Sequence, residues 1–159
     1  MNKSQIPVAQ KDVLSLLLDD HRKVKSLFKQ FEAEKTPLKK EKIAHEACTE
    51  LTVHAGLEEE IFYPFLREQN AAAFGDLLNE ALVEHASAKD LIAQIMNMDI
   101  KDDLYEANVT VLSEYVAHHV TEEEDELFPK VIAKKIDLQK LLPLLSDRKQ
   151  QLLASKAAA

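Results

Sequence analysis

HAGLEEEIFYPFL, residues 54–66, aligns without gaps on HVTEEEDELFPKV, residues 119–131. Both copies share a histidine, glutamates four and five residues later, an apolar residue at eight, an aromatic at nine and a proline at ten. A helix advances about 100° per residue, so positions i and i+4 differ by about 40° and lie one turn apart. His54 with Glu58, and His119 with Glu123, therefore place an imidazole beside a carboxylate on one helix face. Each pair interrupts an apolar stripe. The first stripe is Ala44, Ala47, Leu51, His54, Glu58, Ile61 and Phe65, on a helix opened by a Thr36 cap and a first-turn Pro37. The second is Tyr105, Val109, Leu112, Val116, His119, Glu123 and Leu127. An ionised glutamate in a core is expensive, and a divalent cation offsets that cost. Pro64 and Pro129 should kink both helices just beyond these pairs.

Two further stripes each carry one histidine. Leu14, Leu17, His21, Val24, Phe28 and Phe31 form one, from about Asp12. Leu78, Ala81 or Leu82, His85, Ala88, Ile92 and Ile95 form the other, after a connection that Asn70 ends or caps. The histidine intervals are 33, 31 and 34 residues, each one helix plus one turn, so the four can share a height and an axis. The predicted fold is all-α: an antiparallel up-down-up-down four-helix bundle over residues 12–135. An extended arm, 1–11, precedes it, and a helical tail, 136–159, follows, split or bent by Pro143. His118 and Glu122 share the i, i+4 spacing, but His119 and Glu123 keep register with Leu112, Val116 and Pro129.

Composition narrows the chemistry. The chain has 159 residues, the size of one domain, with 46% hydrophobic and 30% charged residues, a globular balance. Its two glycines, Gly56 and Gly75, rule out the Gly-rich loops that cradle phosphates and argue against a turn-rich β sandwich. A net charge of -8 disfavours nucleic acid as a partner. Cys48 is the lone cysteine, so a disulfide, an iron–sulfur cluster or a Cys-rich zinc site within the chain is excluded. Metal must be held by nitrogen and oxygen, which suits iron, manganese or zinc. The N-terminus lacks an apolar signal region, and no run approaches the roughly 20 apolar residues of a membrane span. We expect a cytoplasmic protein with no membrane partner, and the tail is a candidate contact for a homo-oligomer.

The pattern His21, His54 with Glu58, His85, and His119 with Glu123 resembles the hemerythrin-like, HHE cation-binding domain family over about residues 12–135. The resemblance implies a left-handed bundle around a non-haem centre of two iron ions, joined by an oxo or hydroxo bridge. It implies that His21, His54, His85 and His119 are terminal ligands and that Glu58 and Glu123 bridge the irons. The oxygen-carrying members have a further histidine where this chain has Lys89, and an aspartate five residues after the last histidine. A four-His, two-Glu set leaves one more open position. That favours binding and reducing oxygen, peroxide or nitric oxide, or losing iron. Three functions stay open: a binder or sensor of a diatomic ligand, an enzyme reducing peroxide or nitric oxide, and an iron donor to damaged iron–sulfur proteins.

The other polar residues read more plainly. His45 points about 180° from His54, into solvent. Lys89 snorkels outward, Tyr115 packs in the core, and Cys48 is an inert buried thiol. Glu59, Glu60, Glu122, Glu124, Asp125 and Glu126 form a solvated face. In the metal-free protein, Glu58 and Glu123 should repel each other and rise in pKa.

Overall fold

The apolar stripes wind into helices whose polar residues gather at mid-height. The computed structural model describes residues 1–158, all-helical with no strand among them. The long elements are α1 (Val8–Ala33), α2 (Pro37–Leu57), α3 (Tyr63–Asn97) and α4 (Tyr105–Glu122). A short α5 (Phe128–Ala133) and a C-terminal α6 (Leu141–Ala158), as long as α4, follow. Thr36 stands at the cap position before Pro37 but makes no side-chain cap bond. Instead Glu34 Oε1 accepts from the backbone of Lys35 and Thr36, both at 2.8 Å.

Asn70 turns the chain back on itself. Its backbone leaves the helical region inside α3 (φ -162°, ψ 84°), and its Oδ1 caps the next segment by accepting from Ala73 N at 2.9 Å. A straight helix would hold residues 63 and 85 about 33 Å apart. Tyr63 Oη instead lies 3.4 Å from His85 Nε2. Thus α2 and the start of α3 make one arm, and the rest of α3 returns beside it.

Between α2 and α3, and between α4 and α5, the helix opens into single π turns, Glu58–Phe62 and Glu123–Leu127. Tyr63 N donates to Glu58 O and Phe128 N to Glu123 O, each five residues back. Pro64 and Pro129 follow at once, and a proline can neither donate nor tolerate the carbonyl four residues earlier. Where kinks were expected the helix forms these wide turns, and each starts on a glutamate of a His–Glu pair.

In the bundle α1 packs on α2, α2 on α3, α3 on α4, and α4 back on α1. The polar layer divides the core. Leu14, Leu18, Leu57, Phe62, Phe74, Leu78 and Phe128 fill one half; Val24, Phe31, Ala47, Ile95, Tyr105 and Leu112 fill the other. At the ambiguous third-helix position Ala81 is the buried residue and Leu82 is exposed.

Both chain ends differ from expectation. The arm is not extended: Lys3–Gln5 form a 3-10 turn, and α1 begins at Val8 rather than Asp12. Ile6 buries itself in the core, and two cross-chain bonds hold the segment. Gln10 Nε2 donates to Ile136 O at 2.6 Å, and Leu138 N donates to Ala9 O at 3.0 Å. In the tail, Pro143 neither splits nor bends the helix. It sits in the first turn of α6, where its missing N–H would have no partner anyway. Lys135 takes the left-handed backbone (φ 54°) that ends α5 and redirects the chain. No described helix is long and apolar enough to cross a membrane.

Candidate metal centre

All six residues of the His/Glu pattern are buried and point to one place. Four helical segments supply them: His21 from α1, His54 from the end of α2 and Glu58 from the π turn after it, His85 from α3, and His119 from the end of α4 and Glu123 from the π turn after it. The donor atoms fall into two groups that share Glu58. One is His21, His54, Glu58 and Glu123; the other is Glu58, His85 and His119. Within each group the donors lie within 4.8 Å of one another.

The glutamates divide their oxygens between the groups. Glu58 Oε1 lies 2.9 Å from His54 Nε2, while its Oε2 lies 3.1 Å from His85 Nε2 and 3.9 Å from His119 Nε2. Glu123 Oε2 lies 3.2 Å from His21 Nε2, and its Oε1 lies 3.6 Å from His119 Nε2. In the first group, His21 Nε2 faces Glu123 Oε2 and His54 Nε2 faces Glu58 Oε1 at 3.2 and 2.9 Å, and none of these four buried atoms makes a well-directed hydrogen bond. Four buried nitrogen and oxygen donors converging in this way fit a cation placed among them.

The four histidines of the centre are each held from behind. The Nδ1 atoms of His21, His54, His85 and His119 face Glu124 (3.2 Å), Asp20 (3.1 Å), Glu59 (3.3 Å) and Glu84 (3.0 Å). A carboxylate on Nδ1 fixes the ring so that Nε2 faces inward, the arrangement common behind metal-bound imidazole. Each carboxylate is itself paired: Glu124 with the Met1 ammonium, Asp20 with Lys149, Glu59 with Lys89 and Glu84 with His118. Glu59 and Glu124 thus leave the solvated face expected for them. Lys89 points outward as expected, but its ammonium holds Glu59.

Besides these supports, Tyr63 is a residue that sequence reasoning missed. Its hydroxyl enters the second group, 3.0 Å from Glu58 Oε2, 2.5 Å from Glu123 Oε1 and 3.5 Å from His119 Nε2. Its signal was present as the aromatic at the ninth repeat position, which reads more readily as packing. Tyr115 is half-exposed rather than a core residue. His118 stays outside the centre, exposed between Glu84 and Glu122 at 3.2 Å from each. His45 is half-buried rather than solvated, with Nε2 unpartnered.

The electrostatics reverse one expectation. Burial and repulsion were to raise Glu58. Burial does push upward, but His54, His119 and His85 outweigh it and hold Glu58 well below the usual carboxylate range. Burial disfavours protonation of His54, yet Glu58 and Asp20 raise it well above an ordinary imidazole. His119 rises to about 10 against its burial, through Glu123, Glu58 and Glu84. Burial, then Glu123 and Glu58, raise the Tyr63 phenol and keep its proton in place. Cys48 is pushed up to about 12 by burial, an inert thiol as expected.

The fold and the site define a helical protein with a buried histidine–glutamate cluster built to hold metal. Residues 12–131 match the Hemerythrin HHE cation binding domain, and the chain belongs to that family. It is also similar to a DNA nickase of Nostoc sp. (strain PCC 7120 / SAG 25.82 / UTEX 2576), 31% identical over 112 residues. That alignment covers 70% of this chain and 31% of the relative, so the chain spans less than a third of that protein. No solved structure gives a significant match.

Proposed function

We propose that the chain binds two iron ions between its four histidines and two glutamates and uses them to bind or sense a small diatomic ligand, oxygen or nitric oxide. The observation that carries this reading is the division of each glutamate's oxygens between the two histidine groups. His21 and His54 serve one ion and His85 and His119 the other, with Glu58 and Glu123 spanning both. Imidazole with carboxylate suits iron. When bound, such a pair supplies redox chemistry and an open position for a small ligand. We take the helices to run up-down-up-down, which the reversal at Asn70 and the short link from Ala33 to Pro37 support.

A cavity of about 50 Å³ adjoins the centre, lined by the four histidines and by Val24, Leu51, Ala88, Ile92 and Val116. Liquid water takes roughly 30 Å³ per molecule, so the space suits one or two very small molecules. Its apolar wall favours an uncharged one. Tyr63 Oη holds a proton against both glutamates and lies outside the lining of this cavity.

Anaerobic iron loading, followed by oxygen or nitric oxide and then evacuation, tests the reading. A spectral change that reverses on evacuation supports a binder. Irreversible oxidation with consumption of peroxide or nitric oxide favours the alternative, an enzyme reducing those molecules. Iron passing to an apo iron–sulfur protein favours an iron donor. Fewer than two irons per chain would sink the two-ion reading. The nickase relative suggests phosphodiester cleavage, but a net charge of -8 repels a phosphate backbone.

A further inference from the structure

α6 lies beyond the residues that match the family, yet it reaches the centre. Leu141 and Leu145 anchor its start in the core. Further along, Arg148 Nε and Nη2 donate to the two oxygens of Glu60 in the first π turn, at 2.6 and 3.1 Å. Leu152 lies against Gly56 so closely that a Cβ there would stand 3.2 Å from its Cδ1. Between these contacts Lys149 pairs with Asp20 Oδ1, and Asp20 Oδ2 faces His54 Nδ1 at 3.1 Å.

Asp20 differs from the other three carboxylates behind the histidines. Its side chain is 5% exposed, against 24% for Glu59 and 19% for Glu84 and Glu124. A carboxylate that deep needs its counter-charge, because losing one partner leaves the other buried and uncompensated. Lys89, the cation behind His85, comes from α3 within the bundle; Lys149 comes from the added helix.

We propose that Lys149 is a positioning residue for the subsite of His21, His54, Glu58 and Glu123: by holding Asp20 it fixes the ring of His54, and so α6 sets how firmly that subsite keeps its ion. This rests on the two-ion reading above. The second subsite relies on Glu59 and Glu84, neither of which touches α6 in this way. Loosening α6 at this point therefore acts on one ion of the pair.

The test uses the full chain loaded with cobalt(II), challenged with EDTA and followed by visible absorption. Wild type must first take up two equivalents; a smaller uptake removes the two-ion reading, whatever Lys149 does. With two bound, Lys149→Gln should release one equivalent about tenfold faster or more, the usual scale for losing a group behind a ligand, while the other keeps its wild-type rate. Lys149→Arg should restore the slow rate. Asp20→Asn, which keeps the side-chain shape, should reproduce the selective loss. Arg148→Gln, which removes only the exposed bonds to Glu60 and Gln151, should leave both rates unchanged. The proposal falls if Lys149→Gln changes neither rate, if it speeds both ions equally, or if Arg148→Gln matches it.

Discussion

Tyr63 and Phe128 occupy the same position of the internal repeat and do different chemistry. The Tyr63 ring stacks on His85 with centroids 5.5 Å apart, and the Phe128 ring stacks on His21 at 6.0 Å. Each aromatic follows its π turn and closes one side of the polar layer. Tyr63 alone of the two carries a hydroxyl, which reaches Glu58 and Glu123. Two subsites that the repeat makes alike in outline are thus unequal in donors.

Tyr63→Phe should weaken metal binding at the His85–His119 subsite about tenfold and leave the other subsite near its wild-type affinity. The metal-free variant should lose about 1–3 kcal/mol of stability, because two buried carboxylates lose a shared donor. Calorimetric titration with iron(II) under anaerobic conditions, together with denaturant unfolding, measures both. An equal loss at the two subsites would count against the asymmetry.

Glu58 joins the two groups. Its two oxygens face opposite groups, so Glu58→Ala should remove ligands from both subsites and leave less than one firmly held ion per chain. His54→Ala removes a donor from one group and should leave about one equivalent bound. Elemental analysis of desalted protein decides this. One ion held firmly by Glu58→Ala would mean that the carboxylate does not span the pair.

How much of this was legible follows from what each signal depends on. The four stripes and the six inward residues follow from helical periodicity, which survives in any packing of the helices. The turn at Asn70 follows from its capping chemistry. The supports behind the histidines did not show. Asp20, Glu59, Glu84 and Glu124 look like ordinary helix-surface acids, and their pairing depends on which neighbouring helix faces them. Lys149 is more than 120 residues from Asp20, and no local pattern links them. Ile6 was hidden for the same reason: one apolar residue beside Pro7 has no period, yet the core accepts it.

The helix-four register can be checked with two neighbouring residues. His119→Ala should cost about one metal equivalent, since its Nε2 lies among His85, Glu58 and Glu123. His118→Ala should keep both ions, because His118 is exposed and bonds Glu84 from outside. A small loosening of His119 through Glu84 is the most expected of it. Loss of an ion in His118→Ala with retention in His119→Ala would reverse the assignment.

The last prediction concerns pH. In the metal-free protein His21 and His54 are raised and His119 rises to about 10, each carrying a proton against a carboxylate. A group raised on folding contributes stability that is fully present below its unfolded value and is lost as pH climbs through the folded one. For His119 that window runs from 6.5 to about 10. Glu58 is shifted the other way, so its contribution is present above 4.5 and lost as pH falls through its depressed value. The metal-free protein should therefore be most stable between these limits, in mild acid, and should lose on the order of a few kcal/mol by pH 10. Metal must displace the same protons, so loading should release them and bind more tightly as pH rises. The gap between loaded and chelated protein should accordingly widen from pH 6 towards pH 9. Thermal melts with and without chelator across this range, and calorimetry in buffers of different ionisation heat, measure the two effects. A chelated protein that melts higher at pH 9 than at pH 6, or metal uptake without proton release, would show that these histidines are neutral in the metal-free fold.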